Sequence, residues 1–331
     1  MKSFQQIIVL SLILLLIDFV NADLQNLSPW PIPQKNTKIL TFDSSKDFEP
    51  SGITYLGGYI YIVSDNGKIA RVKVEKNNQK DIDYQNISHE LVGDNDFEAI
   101  TTVKGVNALF LGIEGGRKNN SPIIFEYFPI ETDNGRLPKN AKKKNIGRNW
   151  ILPNLPILGS NNGMEAMTFI PDGKHQFPYS QGGFDGLFFC GSQGDIGSVY
   201  AYDLSVNGDA VALVGVIKNV FLKSAALSDL HYSEVRDTLF ALYDENIFQM
   251  QELRMQEPLN GQGGNIRQVF LAQPLYNAKK IQGIEGLTTY NSELFISIDQ
   301  KRKQGKKNSN YNKKRKSFDN YIYRYLLYPK H

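Results

Sequence analysis

The chain has 331 residues, a net charge of +3 and one cysteine, Cys190. A single cysteine excludes an intrachain disulfide and any zinc site built from several cysteines. Nine Lys and Arg lie within residues 301–316 with no acidic residue among them, so removing them would change the net charge from +3 to −6 and leave an acidic protein.

The N-terminal residues have the pattern of a secretory signal peptide. Lys2 precedes an apolar run at residues 7–17, and a possible cleavage site follows at Ala22. This pattern predicts a mature protein that begins at Asp23 and is secreted or lies in the secretory-pathway lumen. The run is shorter than the roughly 20 residues that cross a bilayer, so we expect no transmembrane segment. Three Asn-x-Ser acceptors fit a glycoprotein on this route: Asn26, Asn86 and Asn119.

One sequence pattern recurs five times in the rest of the chain. Each copy begins with Glu or Ser, followed by a small residue or Asp, an apolar residue and usually Thr. After a turn comes an apolar segment that ends in a polar cluster. The copies begin at Ser51, Glu98, Glu165, Ser228 and Glu285. Their apolar third positions are 47, 67, 63 and 57 residues apart, slightly above the roughly 40 to 50 residues of a propeller blade.

Further strand-like segments follow each copy. A β-branched or aromatic segment bounded by turn residues follows all five copies, and a more polar fourth segment follows four of them. The sequence therefore predicts an all-β fold, a β-propeller of four-stranded blades. The fifth copy lacks a fourth segment, and residues 37–42 have the length and alternation to supply it. We predict that this N-terminal strand closes the ring and removes an open sheet edge.

Five blades are favoured over six. A sixth blade would require a degenerate repeat in the gap between the second and third copies, where residues 139–148 have the composition of a solvated loop. The predicted domains are a signal peptide at residues 1–22, an N-terminal extension at 23–36 and one propeller domain at 37–331. We expect a monomer.

The basic segment at residues 301–316 lies between the second and third strands of the last predicted blade. We interpret it as a solvated loop, and a small-molecule or polyanionic ligand is its functional alternative. The segment has one aromatic residue, Tyr311, and no aromatic interleaving. No nucleic-acid partner is therefore expected.

The acidic positions of the repeat are expected to meet at one mouth of the central channel. The first strand of a blade begins at this mouth and the second strand ends there. Crowded carboxylates raise one another's pKa or require a counter-ion, and oxygen ligands suit Ca²⁺ or Mg²⁺. The predicted metal ligands are Glu98, Glu165, Glu285, Asp229, Asp65, Glu114, Asp244 and Asp299. The alternative is structural: the inner carboxylates accept backbone N–H groups of the next blade, and the outer ones cap turns.

Several motifs resemble one group of secreted propellers. They are the openings at Glu98, Glu165 and Glu285, the Leu-Ser-Asp-Leu-His-Tyr segment at 227–232 and the Leu-Phe-Ala-Leu-Tyr-Asp segment at 239–244. Together they resemble the SdiA-regulated and phytase-like (esterase-like) proteins. The resemblance implies a calcium-binding extracytoplasmic propeller with ester or phosphate-ester hydrolase activity. The metal and phosphate ligands of the calcium phytases have no residue-by-residue match in this chain.

Two functions remain open at this point. One is a metal-dependent hydrolase, in which the cation polarises the substrate and a neighbouring Glu acts as base. The other is a non-catalytic extracellular binding module for a glycan, peptide or protein. No catalytic residue is assigned, because Ser228 lacks the Gly-x-Ser-x-Gly motif of a nucleophile elbow. No organic cofactor is predicted.

Overall fold

The computed structural model describes fifteen parts of the chain. They are residues 32–42, 48–74, 82–87, 92, 96–115, 121–157, 163–192, 198–218, 226–243, 249–255, 266–269, 273–274, 283–291, 293–298 and 321–326. The predicted signal peptide, the basic segment at 301–316, and Asn26 and Asn119 lie outside these residues. Asn86 is described and exposed. Among the described residues, no helix has the length and apolar character needed to cross a membrane.

The described strands form five sheets, which we number as blades in chain order. Strand β1 (Ile32–Thr41) precedes the first blade. The first blade contains β2 (Pro50–Leu56), β3 (Tyr59–Ser64), β4 (Lys68–Lys73) and β5 (Asp83–Asn86). The second contains β6 (Phe97–Thr102), β7 (Leu109–Ile113), β8 (Ile123–Tyr127) and β9 (Ile146–Ile151). The third contains β10 (Met164–Pro171), β11 (Gly186–Ser192), β12 (Val199–Leu204) and β13 (Val211–Ile217).

The last two blades have the same order of strands. The fourth contains β14 (Leu227–Ser233), β15 (Thr238–Tyr243), β16 (Gln249–Met255) and β17 (Ile266–Val269), and the short β18 (Gln273–Pro274) also pairs with β16. The fifth contains β19 (Ile284–Tyr290), β20 (Glu293–Ile298) and β21 (Tyr321–Leu326). All sheet pairings are antiparallel.

The five first strands form a closed ring around the channel. Strand β2 contacts β6, β6 contacts β10, β10 contacts β14, β14 contacts β19, and β19 contacts β2 again. The second strands are apolar because both of their faces pack against neighbouring sheets; every residue of β11 and β15 is buried. The predicted β-propeller is confirmed.

The N-terminal strand supplies the fourth strand of the fifth blade. β1 pairs with β21, with Ile32 opposite Leu326 and Thr41 opposite Tyr321. The predicted closure is therefore present, and the strand begins at Ile32 instead of residue 37. Two register shifts interrupt the pairing, one between Pro33 and Lys38 and one between Lys38 and Leu40. They break the alternation that indicates a strand in the sequence.

The long gap between the second and third copies holds the end of the second blade. Part of residues 139–148, which we predicted to be a solvated loop, forms a 3-10 turn at Lys143–Asn145 and the start of β9. Asn145 is buried, and its side-chain Nδ2 donates to the backbone oxygen of Phe128 at 2.8 Å. No sixth sheet is present among the described residues.

The core lies between adjacent blades. Between the second and third blades, for example, Phe110 packs against Trp150, Phe184 and Phe188, with ring centroids 5.0 to 6.0 Å apart. Trp150 is fully buried, and its indole N–H reaches the backbone oxygens of Ser205 and Gly208. Buried aromatic rings with satisfied polar atoms hold these neighbouring sheets together.

Candidate functional site

A β-bulge lies at the first position of every repeat. In all five blades the register between the first and second strands shifts at this position, for example between Phe97 and Ala99 and between Ile284 and Gly286. The residues at the shift are Glu98, Glu165, Ser228 and Glu285, and in the first blade Ser51 together with Gly52. A bulge changes the direction of a side chain relative to the regular pleat. The same backbone feature thus presents one polar side chain per blade at the start of the channel.

Six carboxylates interact at this end of the channel, which we call the acidic mouth. Burial raises the pKa of Glu98 well above its usual range, and the nearby charges of Glu285, Asp96 and Asp65 raise it further. A hydrogen bond from Ser51 lowers the same pKa. The predicted convergence of the first and second strands therefore occurs at these positions. The acidic mouth consists of Asp65, Asp96, Glu98, Glu114, Glu165 and Glu285.

Glu165 lies in the same electrostatic field. Burial raises the pKa of Glu165 well above its usual range, and the charges of Glu98, Glu114 and Glu285 raise it further. These contributions come from the second and fifth blades, whereas Glu165 belongs to the third. The first positions of three blades are thus close enough to affect one another's protonation.

The tightest group is Asp96, Glu98 and Glu114. One carboxylate oxygen from each residue lies within 4.8 Å of the other two. Asp96 precedes β6 and Glu114 follows β7, and the backbone N–H of Glu114 donates to the backbone oxygen of Asp96 at 3.0 Å. Strand pairing therefore brings the two ends of this hairpin together with Glu98 between them. Asp96 was not predicted as a ligand, although the acidic segment Asp94-Asn95-Asp96 before β6 is visible in the sequence.

Glu114 also belongs to the joint between the second and third blades. Its side-chain Oε1 accepts the backbone N–H of Gly163 at 3.2 Å, and its backbone oxygen accepts the N–H of Met164 at 3.0 Å. A Cβ at residue 163 would lie 2.0 Å from the backbone oxygen of Glu114, so only glycine fits this approach. One oxygen of Glu114 is held by the backbone, and this contact orients the carboxylate.

Ser228 occupies the first position in the fourth blade. It is 7% exposed, and its Oγ has no hydrogen-bond partner among the described residues. A buried hydroxyl without a partner is uncommon in a folded protein. The first position of the fourth blade therefore adds an oxygen atom whose hydrogen-bonding capacity is unused to this end of the channel.

Asp229, one residue further along β14, has a different environment. Its Oδ1 accepts the backbone N–H of Leu230 and its Oδ2 accepts the backbone N–H of Leu287, both at 2.7 Å. Burial raises the pKa of Asp229, and these two hydrogen bonds lower it. Asp229 thus joins the fourth blade to the fifth. This is the structural role that we considered as the alternative for the inner carboxylates.

His231 and Thr168 join adjacent blades in a similar way. The backbone N–H of Thr289 donates to His231 Nε2 at 3.1 Å, and the N–H of Tyr232 donates to Thr168 Oγ1 at 2.8 Å. Both acceptors occupy the fourth position of the repeat, and both donors are at the fifth position of the next blade. Burial lowers the pKa of His231 to about 3. The neutral ring therefore substitutes for the usual Thr as an acceptor.

The remaining predicted ligands divide into two groups. Asp65 follows β3, and its charge reaches Glu98. Asp244 and Asp299 lie outside the described residues. Their participation in the acidic mouth remains a prediction.

Comparisons with known proteins identify no family for this chain. No protein-family model matches it, and no curated protein matches it. The chain is similar to one in a crystal structure of the mitotic checkpoint complex, with 9% identity, a TM-score of 0.38, and coverage of 85% of this chain and 76% of that one. It is also similar to the glutaminyl cyclase of Myxococcus xanthus, with 10% identity, a TM-score of 0.44, and coverage of 87% and 94%. Similarity at this level carries no information about activity.

Proposed function

We propose that the acidic mouth binds a hard divalent cation. The observation that carries this proposal is the group formed by Asp96, Glu98 and Glu114, whose oxygens lie within 4.8 Å of one another. Two unit negative charges at such a distance repel each other by about 3 kcal/mol at an effective dielectric constant of about 20. Protons or a cation can relieve this repulsion. A cation bound among these three oxygens would relieve it without protonating them.

The donor set favours Ca²⁺ over Mg²⁺. Ca²⁺ takes about six to eight oxygen ligands in flexible geometry, whereas Mg²⁺ usually keeps several waters and binds one or two carboxylates. The acidic mouth offers carboxylates from the first, second, third and fifth blades, and the fourth contributes the unpartnered hydroxyl of Ser228. Asp229 is left out of the proposed ligand set because the backbone occupies both of its oxygens.

The chemistry that such a site would support is hydrolysis of an ester or phosphate ester. A cation there would polarise a carbonyl or phosphoryl oxygen. Glu165, whose pKa is raised by burial and by its neighbours, is the candidate general base of this proposal. The sequence resemblance to SdiA-regulated and phytase-like proteins supports this substrate class, and secretion remains part of the proposal.

Thermal unfolding tests the cation site directly. We expect Ca²⁺ to raise the Tm of the purified protein above its value in chelator, because a ligand at about 100 times its Kd adds about 2.7 kcal/mol. Mg²⁺ should raise it less. Glu98→Gln combined with Glu165→Gln should abolish the shift. The matched control is Asp133→Asn combined with Asp209→Asn, which removes two exposed charges and should keep the shift.

Two results would count against the cation site. One is an unchanged Tm of the wild-type protein in Ca²⁺, and the other is an undiminished shift in the Glu98→Gln and Glu165→Gln variant. Activity is measured separately, with generic phosphate and carboxylate esters in Ca²⁺ or chelator. Calcium-dependent turnover supports the hydrolase. A calcium-dependent Tm shift without turnover on any ester favours the extracellular binding module.

A further inference from the structure

A cavity lies at the opposite mouth of the channel, where the first strands of the five blades end. Its volume is about 430 Å³, within the range of small-molecule sites. We call it the neutral mouth. All five blades contribute to its lining, which includes Thr54, Tyr55, Thr101, His231, Thr288 and Tyr290.

Hydroxyl groups line the inner part of the neutral mouth. The fourth position of the repeat is Thr54, Thr101, Thr168, His231 and Thr288 in the five blades. Thr168 accepts the backbone N–H of Tyr232, as described above. Thr288 differs, because it is 0% exposed and its Oγ1 has no hydrogen-bond partner among the described residues. A buried hydroxyl without a partner is uncommon, and a rotation of the Thr288 side chain toward the cavity that it lines would let a ligand supply one.

Two aromatic rings lie at the rim. Tyr55 of the first blade and Tyr290 of the fifth are half-buried, and their ring centroids are 4.3 Å apart at an interplanar angle of 30°. Tyrosine combines a rigid apolar face with a polar tip. The rim therefore offers an apolar surface next to the hydroxyl groups of the inner wall.

The charges at the neutral mouth cancel. Lys104 of the second blade and Glu234 of the fourth form an ion pair of 2.6 Å, and both side chains are largely exposed. His231 is neutral, since burial lowers its pKa to about 3. The other lining residues are uncharged. An anion or a cation would therefore gain no net electrostatic attraction here, in contrast to the acidic mouth.

We propose that the neutral mouth binds a neutral saccharide. One sugar ring would lie with its C–H face against the outer side of the stacked pair of Tyr55 and Tyr290, and its hydroxyls would reach Thr288 and the neighbouring threonines. A purely apolar ligand would leave the hydroxyl of Thr288 unsatisfied, which lowers affinity. A free sugar and the end of a glycan offer the same binding chemistry. This site is independent of the cation site and lies at the other end of the channel.

Ligand-observed NMR provides the test. Saturation-transfer difference spectra are recorded on the full-length mature protein, in chelator, with glucose, galactose, mannose and N-acetylglucosamine. Glucuronic acid and glucosamine serve as charged probes. We expect at least one neutral sugar to receive saturation with a Kd of about 1 mM, and the charged probes to receive less. Tighter binding of a neutral oligosaccharide such as chitotriose would identify a glycan end, and equal binding would identify a free sugar.

Matched variants locate the binding site. Tyr290→Ala should weaken sugar binding by about 10-fold, because it removes half of the aromatic surface. Thr288→Val should weaken it by about 5-fold, because it removes the hydroxyl and keeps the shape. The controls are Tyr179→Ala, an exposed tyrosine, and Thr238→Val, a buried threonine, both outside the cavity. Both controls should bind as the wild type does.

Three results would overturn the proposal. They are the absence of saturation for every neutral sugar, equal saturation of charged and neutral sugars, and unchanged affinity in both Tyr290→Ala and Thr288→Val. Thermal unfolding of each variant, measured without sugar, confirms that the protein remains folded. A loss of Ca²⁺ response in these variants is not expected, so the two mouths are tested separately.

Discussion

The two mouths of the channel are the two ends of the same five strands, and they differ in charge and in backbone geometry. At the acidic mouth a bulge in each blade presents the first position of the repeat, and three of those positions are Glu. At the neutral mouth the strands pair regularly, and four of the five fourth positions are Thr. A ring brings equivalent residues together. Carboxylates at one repeat position therefore repel one another, whereas hydroxyl groups at another position do not.

A carboxylate at the second position of the repeat has a different role from one at the first position. The second position of the repeat faces the next blade at close range: a Cβ at Gly286 would lie 2.5 Å from the backbone oxygen of Ser51. Gly or Ala occupies this position in four blades, and Asp229 occupies it in the fourth. There the carboxylate reaches the backbone N–H of Leu287 instead of its neighbours in the ring. Carboxylates one residue apart are therefore expected to respond differently to mutation.

The largest expected effect is that of Asp229→Ala. This substitution leaves the backbone N–H groups of Leu230 and Leu287 without their acceptor in a buried place, and it should lower the free energy of unfolding by about 3 kcal/mol. Urea unfolding measures the change. Asp229→Asn keeps one acceptor oxygen and should lose less. A loss below about 1 kcal/mol for Asp229→Ala would show that this carboxylate does not hold the fourth and fifth blades together.

The second expected effect is the pH dependence of the acidic mouth in chelator. Because the folded-state pKa of Glu98 and Glu165 is raised above the ordinary value of 4.5, the folded protein holds more protons than the unfolded one above about pH 4.5. Their contribution to stability is complete below that pH and is lost as pH rises through the raised pKa. The loss is about 1.4 kcal/mol per pH unit for each carboxyl.

Glutamine variants and calcium distinguish the pH dependence of stability that comes from Glu98 and Glu165 from that of other titrating groups. Glu98→Gln combined with Glu165→Gln should flatten the slope, and Ca²⁺ should flatten it in the wild type, since a bound cation takes the place of the protons. Urea unfolding at several pH values in chelator measures it. A wild-type slope equal to that of the double variant would show that these carboxylates are not crowded in solution.

The third expected effect has the opposite sign and belongs to His231. Its folded-state pKa is about 3, below the ordinary value of 6.5, so the unfolded protein binds the additional proton between these values. The contribution of His231 to the free energy of unfolding is complete above about pH 6.5 and is lost as pH falls below that value. At pH 5 the loss is about 2 kcal/mol. His231→Thr should remove this loss, because the hydroxyl can accept the N–H of Thr289 as Thr168 accepts that of Tyr232. An unchanged acid slope in His231→Thr would contradict the prediction.

The repeat made the fold predictable, because each copy carries its own strand and turn pattern. The closing strand followed from the missing fourth segment of the fifth copy, and β1 occupies that place. The start of β9 within residues 139–148 was missed because basic residues conceal it. A charged segment can be an edge strand or a loop, because both expose side chains to solvent.

Five of the six carboxylates of the acidic mouth lie at repeat positions that are visible in the sequence, and Asp96 does not. Glu98, Glu165 and Glu285 share one repeat position, so the ring brings them together. Asp96 lies outside the repeat, and strand pairing with Glu114 brings it to Glu98. Nearly every residue of β14 and β15 is buried, so the sequence of this hairpin has no polar-apolar alternation in which a one-residue register shift would be visible. For this reason the sequence could not distinguish the environment of Asp229 from that of the ring.

The smallest expected effect compares two threonines of the neutral mouth. Thr168→Val removes the acceptor of the Tyr232 N–H and should lower the free energy of unfolding by about 1 kcal/mol. Thr288→Val removes a hydroxyl that has no partner among the described residues, so stability should stay within about 0.5 kcal/mol of the wild type or increase slightly. Urea unfolding without sugar measures both. Equal destabilisation by the two substitutions would mean that Thr288 is already satisfied by the protein, and the hydroxyl would then be unable to recognise a sugar.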